Sequence, residues 1–309
     1  MGFRIDDYID NDVAYLIGLI VARGTIVNDV NTRRLVIEFP FSSLQAQGIN
    51  LKFDQETAIK LGLFEIRERL AELLDTKISI IRKDSSIDFV IDFKSNSMIW
   101  RNIMLITEGK TSYHYFHVPG VFFYPDLPKD CKREFIKGYA DVAGNVRQSN
   151  VYTDGRHRVR LDVLNNPSNW QVPIEICSLL QDQLDVPVQL ITWGHPNLGR
   201  DFREHQINIF AVPFLKIGFY MDYKQKILEE FATYDEQHYP KGYNPCPGIK
   251  KIRKRKPHDE EEANAEKLDE RLVNKHFDTY WQICNELGCV RSKRLLSSKI
   301  DDYEDEPDK

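Results

Sequence analysis

No stretch of this chain is apolar over anything close to the ~18 consecutive residues that a membrane-spanning helix needs, which argues against an integral membrane protein built from helices. Cysteine is scarce: Cys131, Cys177, Cys246, Cys284 and Cys289 are the 5 among 309 residues. Spread so thinly, they argue against a disulfide framework and lead us to expect reduced thiols in a cytoplasmic protein. The opening MGFRIDDYID has neither the basic start nor the apolar core of a secretory leader. Asp6 stands where N-myristoylation favours Ser or Thr. A basic excess is missing as well. With a formal net charge of −5, any contact with a polyanion has to come from a local basic face, because the acidic remainder repels phosphate.

The composition is that of an ordinary globular chain, 42% hydrophobic and 29% charged, with length enough for two domains that each bury a core. A search for internal repetition supplies the organising observation. The string LIGLIVARG at residues 16–24 answers IKGYADVAG at residues 136–144 at a constant offset, so that Gly18 matches Gly138 and Gly24 matches Gly144. Each string reads as a helix that stops at its second glycine, where a left-handed backbone would need no Cβ, and that leads into a strand. Asp12 is a start signal for the first helix, and Pro128 with Asp130 for the second.

The same order of elements follows both strings. After the first come strands at 25–27 and 34–39, a helix over 56–74, strands at 78–82 and 87–93, and a short helix at 98–106. After the second come strands at 146–152 and 158–163, a helix over 172–184, strands at 188–193 and 206–210, and a helix near 223–234. The expected fold class is α+β, two αββαββα domains at 1–106 and 128–236 joined by a linker at 107–127. An extension at 237–309 follows, in which a basic run at 250–256 meets acidic residues from Asp259, and in which the acidic end from Asp301 is expected to be disordered.

A helix with small residues one turn apart, as at Gly18 and Ala22, lets a partner helix approach closely. Together the two strings resemble the LAGLIDADG homing endonuclease family, over roughly residues 10–235. The resemblance implies that the two motif helices form the interface between pseudo-symmetric halves, and that two four-stranded antiparallel sheets form a saddle over the DNA major groove. It implies a monomer whose two halves read different half-sites. It also implies an acid before the second glycine of each motif, holding divalent metal at the scissile phosphates. Those positions are Arg23 and Ala143 here. An arginine is a fixed cation and an alanine has no ligating group, while Mg²⁺ wants oxygen ligands. Two-metal phosphodiester hydrolysis should therefore be lost, leaving no catalytic residue and no resident metal to assign. Asp141 lies on another side of its helix from position 143 and reads as a capping or interface residue.

Strand alternation sorts faces. In RHRVRLDV at 156–163, Val159, Leu161 and Val163 point one way, while Arg156, Arg158, Arg160 and Asp162 point the other. Arginines at two-residue spacing suit phosphate and guanine contacts in a major groove. In the first half Leu35, Ile37 and Phe39 face inward, with Arg34 and Glu38 outward. Lys83 and Arg147 extend these polar surfaces, and Gln206 with Asn208 could read adenine edges. Arg23, at the end of the first motif helix, is expected beneath the centre of the DNA, where its charge would stand in for metal. Asp88 and Asp92 share one face of 87–93 and weigh against phosphate binding there.

In the extension, Cys246, His258, His276, Cys284 and Cys289 are the right types for a zinc site, but their spacing matches no familiar pattern. A helix over 276–288 packed on a core accounts for Cys284 without metal, and is the expectation here. The basic run at 250–256 either tracks the DNA backbone or is a solvated linker. The leading expectation is a sequence-specific duplex DNA-binding protein without cleavage, acting as regulator or accessory factor. The alternatives are a Mg²⁺-dependent endonuclease with displaced acids, an RNA maturase, and a protein-binding scaffold.

Overall fold

The computed structural model describes residues 9–147, 156–166, 171–192 and 203–239. The chain separates into two compact units, Met1–Gly248 and Ile249–Lys309, and all of the described residues belong to the first. The zinc reading, the basic run and the acidic end of the extension lie outside the described residues.

The first half begins with helix α1 (Asn11–Arg23), followed by strands β1 (Gly24–Asn28) and β2 (Arg33–Pro40) and the short helix α2 (Phe41–Leu44). Helix α3 (Gln55–Leu74), strands β3 (Ile78–Arg82) and β4 (Ser86–Asp92) and helix α4 (Met98–Ile106) complete it. After a connection containing the 3-10 turn Gly120–Phe123, the second half runs through α5 (Lys129–Ala143), β5 (Gly144–Arg147), β6 (Arg158–Asn165) and α6 (Val172–Ser178). Then follow β7 (Leu190–Thr192), β8 (Arg203–Phe210), α7 (Ala211–Phe214) and α8 (Asp222–His238). The two sheets repeat one another: β1-β2-β4-β3 and β5-β6-β8-β7, antiparallel at every pairing. Among the described residues no helix is long and apolar enough to cross a membrane.

Local chemistry explains where the helices start and stop. The cap of α1 is Asp10, whose carboxylate accepts the Val13 N–H at 2.8 Å. Asp12 sits within the first turn and not before it. Asp54 and Ser97 cap α3 and α4 in the same way. The helix expected over 172–184 is α-helical only to Ser178 and continues as a π-type turn over Leu179–Gln183.

The halves meet along α1 and α5. A Cβ built on Gly18 would lie 2.0 Å from the carbonyl oxygen of Phe135, and one on Gly138 would lie 2.2 Å from that of Tyr15. These contacts are reciprocal, each glycine touching the backbone that lies one turn before the other, so the helices cross at a distance that only hydrogen in place of a side chain permits. Gly24 and Gly144 require a correction. Their backbones are extended, with φ of −83° and −93°, not left-handed. They are glycines because a Cβ would come within 2.6 Å of Ile20 O and 2.3 Å of Ala140 O, where each strand leaves its helix at a sharp angle. Ala22, also in the motif, is 1% exposed and completes the close-packed face.

Candidate nucleic-acid interface

Register places the strand residues of the two sheets in rows. On the core face of the second sheet, Val159, Leu161 and Val163 of β6 pair with Ile209, Ile207 and His205 of β8, and all are buried. The opposite face carries the row Asn145–Arg160–Asn208, flanked by Arg147–Arg158–Phe210 on one side and Asp162–Gln206–Thr192 on the other. The predicted residues Arg158, Arg160, Gln206 and Asn208 are thus brought onto one face, and Arg147 takes the register position opposite Arg158. Arg156 precedes β6 and leans on Phe210 at 5.6 Å and Tyr239 at 5.0 Å, with Arg158 over the same Phe210 ring at 5.4 Å.

What fixes these arginines was not visible in sequence. His157, between Arg156 and Arg158, points into the core. Its Nδ1 lies 2.7 Å from Asp235 Oδ1, its backbone N–H donates to Asp235 Oδ2 at 2.9 Å, and its ring stacks on Phe231. Helix α8 therefore holds the start of β6 from behind, so that its two neighbours face outward. Arg160 is anchored differently: its Nε lies 2.8 Å from Asp162 Oδ1, and Asn145 donates to Asp162 Oδ2 at 2.8 Å. Burial raises the Asp162 carboxyl above its ordinary value, while Arg160 works in the opposite direction.

The first sheet presents different chemistry at the same register. Its outer rows are Thr25–Val36–Val90–Ser79, Val27–Arg34–Asp92 and Glu38–Asp88–Ile81. Arg34 is held bidentately by Asp92 at 2.7 and 3.2 Å. Lys83 is paired with the buried Asp88 at 2.5 Å. Both predicted cations are present on this side, and both are neutralised by a carboxylate of the same strand, β4.

At the helix ends, Arg23 departs from expectation. It is 4% exposed, its guanidinium lies 5.3 Å from the Tyr113 ring centroid, and its Nη1 donates to Ala22 O at 3.0 Å. The connection between the halves causes this: Thr111 O accepts the Ile26 N–H and Tyr113 N donates to Gly24 O, which lays Tyr113 across the end of α1. Arg23 Nε is buried without a hydrogen-bond partner. Ala143 is fully buried. Neither position supplies an oxygen ligand, so these helix ends do not fit a divalent metal. Among the described residues no group of three or more His, Cys, Asp or Glu side chains is placed to hold one.

Asp141 lies in the seam and not on either outer face. Its carboxylate accepts the Tyr15 hydroxyl at 2.8 Å and the N–H groups of Tyr220 and Met221 at 3.1 and 3.3 Å, at the start of α8. The fully buried Lys224 donates to Asp141 O and Gly144 O at 2.9 and 3.2 Å. Burial raises the Asp141 carboxyl and lowers the Lys224 amine to about 8, each offset in part by the other's charge. Arg69 of α3 was also missed. It packs over Tyr15 and Tyr220 at 4.1 and 4.7 Å and bridges Asp12 and Glu134, on the helices of opposite halves.

No family model and no curated protein matches the chain. Among solved structures, the chain is similar to the homing endonuclease I-DmoI in complex with DNA and Ca at 19% identity, covering 66% of this chain and 87% of that one, with a TM-score of 0.39. It is similar to full-length DUF199/WhiA from Thermatoga maritima at 13% identity, covering 92% and 72%, with a TM-score of 0.42. It is also similar to the N-terminal LAGLIDADG domain of DUF199/WhiA at 15% identity, covering 72% and 80%, with a TM-score of 0.37. At that distance the functional reading rests on the residues of the interface themselves.

Proposed function

We propose that this chain is a sequence-specific duplex DNA-binding protein of homing-endonuclease ancestry that does not cleave its target and acts as a regulator or accessory factor. In this reading it is a cytoplasmic monomer of two pseudo-symmetric domains, 1–106 and 128–236, with a linker at 107–127 and an extension at 237–309. The observation that carries it is the outer face of the second sheet. There Arg158, and Arg160 held by Asp162, stand beside Gln206 and Asn208 in adjacent rows, a combination of guanidinium groups for phosphate or guanine and amides for adenine. An antiparallel face that merely met water would have no need of a buried His157–Asp235 pair aiming its arginines outward.

Loss of cleavage follows from the helix ends. Hydrolysis through two metals needs carboxylates that place the ions on attacking and leaving oxygens. Arg23 is buried under Tyr113, and Ala143 has no side-chain oxygen. Asp141 offers no replacement, since both of its oxygens are committed to Tyr15 and the start of α8.

Selection from a random duplex pool tests the reading. Binding should be enriched without metal, and the enriched duplex should remain intact in 10-fold excess protein with Mg²⁺ or Mn²⁺. Affinity should fall with salt at a log–log slope of about −0.9 per phosphate contacted. Cuts at a fixed site that EDTA abolishes would restore the enzyme reading. Preference for folded RNA over every duplex would turn the assignment toward a maturase.

A further inference from the structure

We infer that the first half holds a binding site for an uncharged, largely hydrocarbon small molecule, in a hollow between α1, the end of α3, α4 and the connection that follows α4. The site is separate from the outer strand faces and stands whether or not the chain binds DNA.

The hollow follows from an imbalance between the halves. Helices α4 and α8 hold the same place in the order of elements, but α8 runs for 17 residues and buries Tyr223, Ile227, Leu228 and Phe231, whereas α4 runs for 9 and buries Trp100 and Ile103. The one aromatic ring on α4, Trp100, packs on Phe93 at 5.4 Å between centroids. What remains is a concavity of about 330 Å³, walled by Leu16, Ile20 and Val21 of α1, Leu74 of α3, Ile103 of α4 and Phe116 of the connection. Protein interiors pack with few voids larger than a water molecule. This one falls within the range of about 300–1,000 Å³ that small-molecule sites occupy.

The lining sets the class of ligand. Among the described residues that wall the hollow there is no Lys, Arg, Asp or Glu, so a carboxylate or phosphate placed in it would be buried without a counter-charge. Three polar side chains reach it, Asn102, Thr107 and His117. Thr107 donates its hydroxyl to Ile103 O at 2.9 Å, and His117 directs Nδ1 at Glu175 Oε1 at 2.9 Å. That leaves the Asn102 amide and His117 Nε2 to take a hydrogen-bonding group on the ligand. Water is a poor occupant, because each buried molecule needs about two to four polar partners and the walls are otherwise apolar. A hydrocarbon body gains by leaving water for such walls.

The test titrates the full chain with N-phenylnaphthylamine, an uncharged fluorophore whose emission rises in apolar surroundings. We expect saturable binding at one site per chain, and a melting temperature that climbs with probe concentration. Decanol should displace the probe, while decanoate, equal in length but charged, should do so about ten-fold less well or worse. Val21→Phe fills the hollow from the side of α1 and should weaken the probe about ten-fold or more. Val13→Phe, which reaches the same space from the first turn of α1, replaces it if that variant does not fold. Phe64→Ala removes an exposed ring on α3 and should change nothing. Absence of saturable uptake, unaltered uptake by the filled variant, a loss from Phe64→Ala equal to that from Val21→Phe, or decanoate as strong as decanol overturns the assignment. A dimer that the probe dissociates would mean that a second copy fills the hollow, and overturns it too. None of these readouts involves nucleic acid, so failure here and failure of the DNA-binding reading are distinguishable.

Discussion

The two halves of this protein share one strand order and one helix order, and they differ most where they face outward. The core face of each sheet is apolar at most matching register positions, Leu35 and Ile37 in one and Val159 and Leu161 in the other, with His205 standing where the first sheet has Ile87. The outer faces have diverged to Val36, Asp88 and Val90 against Arg160, Gln206 and Asn208. Packing constrains the inside because volume and polarity errors there cost several kcal/mol, while an outer face answers only to its partner. Divergence concentrated on that face is what a change of partner on one side would leave behind. The seam between the halves is the opposite case, since its glycine contacts have stayed reciprocal.

The largest effect we expect tests that reciprocity. Gly18→Ala and Gly138→Ala each drive a methyl group into a backbone carbonyl of the opposing helix, at 2.0 and 2.2 Å. A flexible side chain could yield, but a helix backbone can do so only by moving as a unit. Each substitution should cost about 4 kcal/mol or more, comparable with the whole stability of a marginal domain, and the two should be alike. Urea denaturation of both variants measures it. If one is tolerated and the other is not, the helices do not cross as described.

The next effect sharpens the comparison at the helix ends, where Lys224 of the second half is fully buried behind the end of α5. Lys224 donates to the carbonyls of Asp141 and Gly144, and burial lowers its amine from 10.5 to about 8. Between those values the unfolded chain still holds a proton that the folded chain has released, so stability rises with pH across that window and is insensitive to this group below it. The gain from about pH 8 to 10 should be on the order of 1–3 kcal/mol relative to Lys224→Met, which keeps the stem and removes the charge. The comparison with Lys224→Met cancels the tyrosines, which titrate in both proteins. Parallel pH curves for wild type and variant would show that the amine is not held where the backbone carbonyls place it.

Much of this architecture was legible in the sequence, for reasons that particular residues make plain. Apolar positions two apart in Leu35, Ile37 and Phe39, and again in Val159, Leu161 and Val163, fixed both strand and inward face. The repeated glycines fixed the helix pair. Gly24 and Gly144 were placed correctly for the wrong reason, because a sequence shows that Cβ is absent and not whether backbone angle or close contact forbids it. Arg23 was misplaced because its cover, Tyr113, lies on a connection with no periodicity to read. Asp235, Lys224 and Arg69 went unrecognised because each acts across the chain, through partners at long sequence separation, and leaves no local pattern. The same holds for the pairing of Arg34 with Asp92: both residues were visible, but that one cancels the other depends on register.

That pairing supports the smallest and most discriminating prediction. Arg34 and Asp92 are exposed side chains whose bidentate contact sits at the edge of the first outer face. Exposed pairs contribute little to stability, so Asp92→Asn should leave the melting temperature unchanged. It does remove a negative charge and release a cation at the register position of Arg158. If the first half stands beside the DNA without touching it, the loss of repulsion should raise affinity for the enriched duplex by about two- to three-fold at low salt, a gain that vanishes as salt screens it. No new phosphate should appear in phosphate-ethylation interference read on both strands. A gain of ten-fold or more, with new interfering phosphates, would mean that Arg34 already reaches the backbone and only Asp92 restrains it. The first sheet would then be a masked copy of the second and not a different surface, and the difference between the halves would reduce to one carboxylate.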